Sequence, residues 1–147
     1  MLNTGTLFAE YVVPNPVKAV GYLQKNNIAG MVFNDEKFGG YLLWSAYPQL
    51  RPFVDGRQLD KKRFFDDYLA LVQAPERLWP DLQERYRFAA VLLDKTPPYL
   101  QKLREYLKGL PSWALVYEDE SCVVFRNAST VTDRIPALNV PDNNGGR

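Results

Sequence analysis

Three aspartates, Asp35, Asp55 and Asp94, each directly follow an apolar run that has the length of a buried strand. The carboxyl ends of parallel strands line the crevice in which open α/β sheets bind ligands. Three carboxylates meeting there would hold a divalent cation or accept hydrogen bonds from sugar hydroxyls. The structural alternative is more common, because Asp is also an ordinary residue of turns and helix starts.

The composition excludes several kinds of catalytic and metal site. The 147 residues include no histidine and one cysteine, Cys122. Ser-His-Asp and Cys-His nucleophiles are therefore excluded, and so are zinc sites built from histidine or several cysteines. Cys122 lies in an apolar run, where we expect a small buried side chain. Any catalysis would have to use carboxylates, lysine, tyrosine or backbone amides.

The charge balance argues against a nucleic-acid or anionic-membrane surface for the chain as a whole. The 18 basic and 17 acidic residues are interspersed and give a net charge of +1. The first residues do not have the pattern of a signal peptide. The longest apolar run, Phe88 to Leu93, is far shorter than the roughly 18–20 residues that a membrane helix needs. We therefore expect the isolated chain to be soluble.

Two adjacent glycines, Gly39 and Gly40, lie between a predicted strand and a predicted helix. Glycines in this place let backbone amides bind an anion at the start of the helix. The chain has neither the G-x-G-x-x-G nor the P-loop pattern, which would support phosphate binding. The favoured interpretation is that Gly40 lets the helix pack closely on the sheet.

Two further groups of residues have both a structural and a functional interpretation. Asp55-Gly56-Arg57 is a turn sequence, and a bidentate pair between Arg57 and Asp55 would fix the loop. Tyr41, Trp44 and Tyr47 form either an aromatic platform for a sugar or a partner, or core and rim residues of a helix. Their helical spacing favours the second interpretation.

The pattern of apolar runs, helix starts and turn residues predicts an α/β fold. We expect three layers, with a mostly parallel sheet, helices on both faces and a C-terminal antiparallel hairpin. The expected domain spans residues 14–126, with a lead-in over 1–13 and a flexible tail over 127–147. The predicted strands are Thr6–Val13, Gly30–Asn34, Arg51–Asp55, Phe88–Leu93, Trp113–Tyr117 and Cys122–Phe125, and the predicted helices begin after Asn15, at Phe38, after Asp60, at Pro75 and after Thr96.

One stretch also resembles a known class of protein. Its segments are Val32-Phe33-Asn34-Asp35, Phe38-Gly39-Gly40-Tyr41-Leu42-Leu43-Trp44, Tyr47-Pro48 and Phe53-Val54-Asp55-Gly56-Arg57. The stretch resembles a soluble region that follows the last membrane helix of many bacterial polytopic membrane proteins. Those proteins are similar to glycosyltransferases of the dolichyl-phosphate-mannose protein mannosyltransferase type. The resemblance extends more loosely from about Pro14 to Arg126, the size of one domain.

The resemblance implies a non-catalytic domain on the periplasmic face of the cell membrane. Its implied partners are the membrane-embedded portion of the same polypeptide and a lipid-linked sugar or acceptor, with no nucleic acid and no cofactor. The catalytic acids of such enzymes lie elsewhere, so the resemblance assigns no catalytic residue and no metal ligand here. The expected surface or ligand site consists of Asn34, Asp35, Gly39, Gly40, Tyr41, Trp44, Asp55, Gly56, Arg57 and Asp94. The alternative is a stand-alone α/β domain that binds a sugar or a divalent cation at its strand ends.

Overall fold

The computed structural model describes residues 15–57 and 60–128 of the chain. Five strands form one mixed sheet with the order β2-β1-β3-β5-β4. The predicted strand over Thr6–Val13 lies outside the described residues, and so does the predicted tail beyond residue 128. The strands are β1 (Gly30–Asn34), β2 (Leu50–Pro52), β3 (Ala90–Asp94), β4 (Trp113–Glu118) and β5 (Cys122–Asn127).

The helices fall where the sequence predicts them. The α-helices are α1 (Val17–Lys25), α2 (Gly39–Ala46), α3 (Ala70–Gln73), α4 (Pro75–Tyr86) and α5 (Gln101–Lys108). Single 3₁₀ turns at Glu36–Phe38 and Pro98–Leu100 lead into α2 and α5, and a π-helical segment, Arg63–Leu69, leads into α3. In the described part of the chain, no helix combines the length and apolar character needed to cross a membrane.

The α/β class is confirmed, but the prediction of a mostly parallel sheet is not. Strand β1 pairs in parallel with β2 and β3, over three residue pairs each. Strand β5 runs antiparallel to both β3 and β4, over five pairs each. The hairpin was expected to add one antiparallel edge. Because β5 itself lies beside β3, the hairpin supplies two antiparallel ladders, and these are longer than the parallel ones.

The first helix illustrates how local signals fix an element. Pro16 precedes α1, and proline is well suited to the first turn because its missing N–H has no helical partner there. Ala19, Val20 and Leu23 are buried at helical spacing. Val17, the first residue of the helix, is exposed.

The helix predicted after Asp60 begins as expected, but its central part is π-helical. The Asp60 carboxylate accepts a hydrogen bond of 2.9 Å from the Arg63 N–H, as a capping residue does. Phe64 and Tyr68 are buried, whereas Phe65 is 54% exposed.

The buried side chains divide into two clusters, because successive strand residues point to opposite faces of the sheet. The first cluster takes Phe33, Val91 and Phe125 from the strands, together with residues of α3, α4, α5 and the π-helical segment. The second takes Val32 and Leu92, together with residues of α1 and α2. The burial predicted for Cys122 is confirmed: its thiol is free and lies in the second cluster.

Candidate functional site

An ion-paired cluster lies at the carboxyl ends of β1 and β3. Asp35 directly follows β1, and Asp94 is the last residue of β3. The two strands are parallel neighbours, so their carboxyl ends meet at one edge of the sheet. The Lys37 ammonium donates a short hydrogen bond to Asp94 Oδ2, and its nitrogen lies 3.6 Å from Asp35 Oδ2. One lysine therefore bridges two of the three predicted aspartates.

Asp35 is almost completely removed from solvent, with 1% of its surface exposed. The Tyr99 hydroxyl lies 3.2 Å from each carboxylate oxygen of Asp35 and donates to them. The Lys37 backbone N–H donates to Asp35 Oδ1 at 3.3 Å. Burial raises the pKa of Asp35 above its ordinary value, because it disfavours the charged form. The charge of Lys37 acts in the opposite direction but does not cancel the effect of burial.

Asp94 lies in the same cluster with the opposite shift. Burial alone would raise the pKa of Asp94, but hydrogen bonds from Lys37 and Thr96 hold it below its ordinary value. Thr96 donates from both its backbone N–H, at 2.9 Å, and its hydroxyl, at 2.8 Å. The Arg104 guanidinium donates to the Asp94 backbone carbonyl at 3.0 Å. Asp94 is thus an ionised acceptor whose oxygens already have protein donors.

Two tyrosines complete the cluster as neutral phenols. The Tyr68 hydroxyl accepts a hydrogen bond of 3.3 Å from the Glu36 N–H. Burial, and next the charge of Asp35, raise the pKa of both Tyr68 and Tyr99 well above the ordinary value. The two hydroxyls therefore remain protonated at physiological pH, and Tyr99 acts as a hydrogen-bond donor rather than as a base.

Asp55 does not join this cluster, so the predicted group of three aspartates is not assembled. Its carboxylate accepts from Arg57 Nε at 3.2 Å, from Arg57 Nη2 at 3.1 Å and from the Arg57 N–H at 2.9 Å. The predicted bidentate pair is therefore present, with Arg57 largely exposed and Gly56 in the turn between them. Among the described residues, no group of three or more Asp, Glu, His or Cys side chains is placed to hold a metal ion.

The close approach predicted for Gly40 belongs to Gly39. A Cβ atom added at Gly39 would overlap the Val54 carbonyl oxygen and would lie 2.6 Å from Asp55 Cα. A Cβ atom at Gly40 would meet nothing within 4 Å. Helix α2 therefore packs against the chain after β2 at its first residue, and Gly40 faces solvent.

The Asn34 side chain links the end of β1 to the chain that follows β2 through hydrogen bonds. Its side chain is completely buried. The Asn34 Nδ2 donates to the carbonyls of Asp35 and Val54, each at 2.8 Å. Its Oδ1 accepts from the Phe53 N–H at 2.9 Å. This amide is therefore structural, since its donors and its acceptor are used within the protein.

The three aromatic residues of the predicted platform are not core residues. Trp44 is 83% exposed and Tyr47 is 61% exposed, whereas Tyr41 is half-buried beside them. The rings of Tyr41 and Trp44 have centroids 6.0 Å apart and are tilted relative to each other. Helical spacing favoured a core and rim role, and that interpretation is wrong for Trp44 and Tyr47.

Sequence reasoning did not identify Lys37, Thr96 or Tyr99, which hold the two buried aspartates. Lys37 had a local signal, because a lysine two residues after a predicted strand-end aspartate can reach the same edge of the sheet. Thr96 had a similar one, as the second residue after Asp94, where a hydroxyl and an N–H commonly bond to an Asp side chain. Tyr99 had none, since it contacts Asp35 from the 3₁₀ turn before α5, 64 positions further along the chain.

Comparison with known proteins adds no relative to this description. No protein-family model matches the chain. Searches of curated proteins and of solved structures likewise give no significant match. The functional argument therefore rests on the residues and geometry described above.

Proposed function

We propose that this chain is a non-catalytic extracytoplasmic domain of a membrane-embedded, glycosyltransferase-like protein. It would lie on the periplasmic face and organise or recognise a lipid-linked sugar or acceptor near the membrane. Its main partner would be the membrane-embedded portion of the same polypeptide. The proposal includes a three-layer arrangement, which the two hydrophobic clusters support, each combining strand and helix residues.

The observation that carries the proposal is the mutual pairing of the polar residues at the strand ends. Asp35, Lys37, Asp94 and Tyr99 satisfy one another, and three of their contacts cross between the loops after β1 and β3. A catalytic acid or base must be able to exchange its proton with a substrate. Here the ionised groups are engaged in holding two loops together, which suits a scaffold better than an active site.

The direct test is to offer the purified domain a polyprenyl-phosphate-linked sugar and an acceptor peptide. We expect no release or transfer of sugar by the domain alone, with a membrane extract that holds an active lipid-dependent transferase as the positive control. Turnover by the domain would contradict the proposal.

We also expect the gene upstream of Met1 to continue in frame into apolar stretches of about 20 residues, the length of a membrane span. A gene that begins at Met1 would contradict the attachment.

The ion-paired cluster also allows a test between this proposal and the alternative. The alternative is a stand-alone domain that binds a cation or a sugar at its strand ends. A ligand that binds the native state must raise the melting temperature. We expect millimolar Mg²⁺, Ca²⁺ or free monosaccharide to leave the melting temperature unchanged. A rise that disappears in an Asp94→Asn variant would favour the stand-alone alternative.

A further inference from the structure

The two helices on one side of the sheet differ in charge from the rest of the chain. Helices α1 and α2 both pack on the second hydrophobic cluster. Together they contain Lys18 and Lys25 and no Asp or Glu. Over the whole chain, 17 acidic residues offset 18 basic ones. The two helices are therefore basic, although Asp119 and Glu120 of the β4–β5 turn lie near Lys18 at the start of α1. We call the outward surface of these helices the α1–α2 face.

The outward side of α2 is aromatic and uncharged. No residue of α2 carries a charge, and the side opposite the buried Leu42 and Ala46 presents Trp44 and the half-buried Tyr41. Tyr47, directly after the helix, extends the same exposed patch. A helix that is apolar on both sides is normally buried by a neighbour or adjoins a membrane. The described residues do not cover Trp44.

The outward side of α1 supplies the basic part of the face. Lys18 and Lys25 are seven residues apart, so two turns of helix place them on the same exposed side. The C-terminal ends of α1 and α2 are joined by a hydrogen bond of 3.2 Å from Gln24 Nε2 to the Ser45 carbonyl. Lys25, at the C-terminal end of α1, is exposed and forms no ion pair with another described residue. Lys18, at the other end of α1, faces the charge of Asp119.

We propose that the α1–α2 face docks onto the surface of a bilayer that contains anionic phospholipid. This inference rests on the proposed function, which brings the domain close to a membrane. Trp and Tyr are enriched at membrane interfaces, because an apolar ring and a polar N–H or O–H suit the headgroup region. Lys25 would lie towards the lipid phosphates, where basic side chains are attracted to an anionic surface.

A soluble sugar fits this face less well than a bilayer does. Sugar recognition requires polar side chains beside the aromatic ring that can bond to hydroxyls. The polar side chains nearest the patch are already bonded to backbone carbonyls: Gln24 to Ser45, Ser45 to Tyr41 and Gln49 to Ile28. A second copy of the chain also fits less well, because a two-fold contact through this face would bring the same basic helices together.

Intrinsic tryptophan fluorescence gives a site-specific test. The chain has three tryptophans, of which Trp79 and Trp113 are buried and Trp44 is exposed. We expect the protein to co-sediment with vesicles of phosphatidylcholine mixed with phosphatidylglycerol. We expect its emission to shift to the blue and quenching by aqueous acrylamide to decrease. Vesicles of phosphatidylcholine alone should bind more weakly, and added salt should reduce the difference between the two lipid compositions.

Variants of the exposed residues locate the contact without disturbing the core. Trp44→Ala should reduce binding, measured by co-sedimentation, by about tenfold or more, since it removes the largest apolar contact with the interface. Lys25→Glu should weaken binding to anionic vesicles at low salt. Phe65→Ala is the matched control, because it removes an exposed aromatic ring from the helices of the other cluster. Unchanged thermal unfolding should confirm that each variant is folded.

Three results would overturn the inference. They are the absence of vesicle binding by the wild type, equal binding by Trp44→Ala, and self-association lost in Trp44→Ala without any vesicle binding. None of these results would contradict the proposed function, whose tests are sugar turnover, the upstream gene sequence and the effect of cations or monosaccharides on the melting temperature. Conversely, turnover of a sugar donor would overturn the proposed function whatever the vesicles show.

Discussion

Lys37 and Asp94 lie 57 positions apart in the chain, and the Lys37 ammonium donates directly to Asp94 Oδ2. Lys37 belongs to the loop after β1, and Asp94 ends β3, so the pair bridges two parallel strands at their carboxyl ends. Both side chains are partly shielded from water, which weakens solvent screening of the pair. The pair therefore fixes the edge of the sheet at which open α/β folds commonly bind ligands.

Replacing Asp94 with Asn should destabilise the protein in a pH-dependent way. Asp94→Asn removes the charge that Lys37 and Thr96 bond to, at an expected cost of about 1–3 kcal/mol in the free energy of unfolding at pH 7. The pKa of Asp94 is lowered in the folded state, so its contribution is present above the ordinary value of 3.8 and is lost as the pH falls through the folded value. The difference between wild type and variant should therefore shrink below about pH 4.

Urea denaturation at pH 7, 5 and 3 measures this difference. The control is Asp66→Asn, which changes an exposed aspartate of the π-helical segment and should have little effect at any of these pH values. A difference for Asp94→Asn that stays constant between pH 7 and pH 3 would show that the Lys37–Asp94 charge pair does not stabilise the fold. Asp35 is less suitable for this test. Its pKa is raised in the folded state, so the stability difference between wild type and an Asp35 variant should depend on pH in the opposite direction.

Two adjacent glycines offer a matched pair of substitutions. Gly39→Ala places a Cβ against the Val54 carbonyl oxygen and Asp55 Cα, which belong to backbone and cannot move aside as a side chain can. We expect a loss of about 1–3 kcal/mol in the free energy of unfolding, the usual cost of overpacking. Gly40→Ala meets open space on a helix, so it should be neutral or stabilising by up to about 1 kcal/mol. Equal effects of the two substitutions in urea denaturation would contradict the close packing at Gly39.

Local signals were sufficient to predict most elements but not their arrangement in the sheet. The strand Gly30–Asn34 was predicted with the observed limits, because the apolar run lies between turn residues. The direction of β5 relative to β3 has no such signal, since a buried run shows only that both faces are covered. The choice between Gly39 and Gly40 likewise depends on where the chain after β2 passes.

The candidate site, like the fold, could be predicted from the sequence only in part. The positions of Asp35 and Asp94 followed from parallel strands that end at one edge, and they do meet there. Asp55 was grouped with them by the same rule. It differs because β2 ends at Pro52, so Asp55 lies beyond the strand and pairs with Arg57 within its own turn. The contact of Tyr99 with Asp35 depends on the tertiary fold alone.

Asn34 should be among the polar residues least tolerant of substitution. Its amide joins β1 to Phe53 and Val54 through buried hydrogen bonds. Asn34→Ala would remove the donor of the Val54 carbonyl and the acceptor of the Val54 N–H, which lies 3.4 Å from Asn34 Oδ1, whereas the Phe53 N–H keeps its bond to the Val32 carbonyl. Leaving a buried polar group without a partner costs about 1–3 kcal/mol. Asn34→Asp keeps the shape but turns a donor into an acceptor that faces two carbonyls, so we expect at least as large a loss. Urea denaturation of both variants checks this, and a loss below about 0.5 kcal/mol, which is typical of surface sites, would contradict the network.

Cys122 provides a probe of how readily the sheet opens, because it is the only cysteine of the chain. Its side chain is buried, and burial raises the pKa of the thiol to about 12. At pH 8 only about one thiol in 10⁴ would then be ionised, and the thiolate is the reactive form. Alkylation by iodoacetamide in the native state should therefore be at least about 10³-fold slower than in urea.

A second variant tests whether the β4–β5 turn controls this labelling. The Asp119 carboxylate accepts hydrogen bonds from the N–H groups of Ser121 and Cys122, each at 2.7 Å, and from the Tyr117 hydroxyl at 2.6 Å. Asp119→Ala should loosen the turn and accelerate native-state alkylation several-fold, while Glu120→Ala, at the exposed neighbouring position, should not. Native labelling of the wild type as fast as that of the unfolded chain would show that Cys122 is not buried in solution. Equal rates for the two variants would show that the turn does not limit access to the thiol.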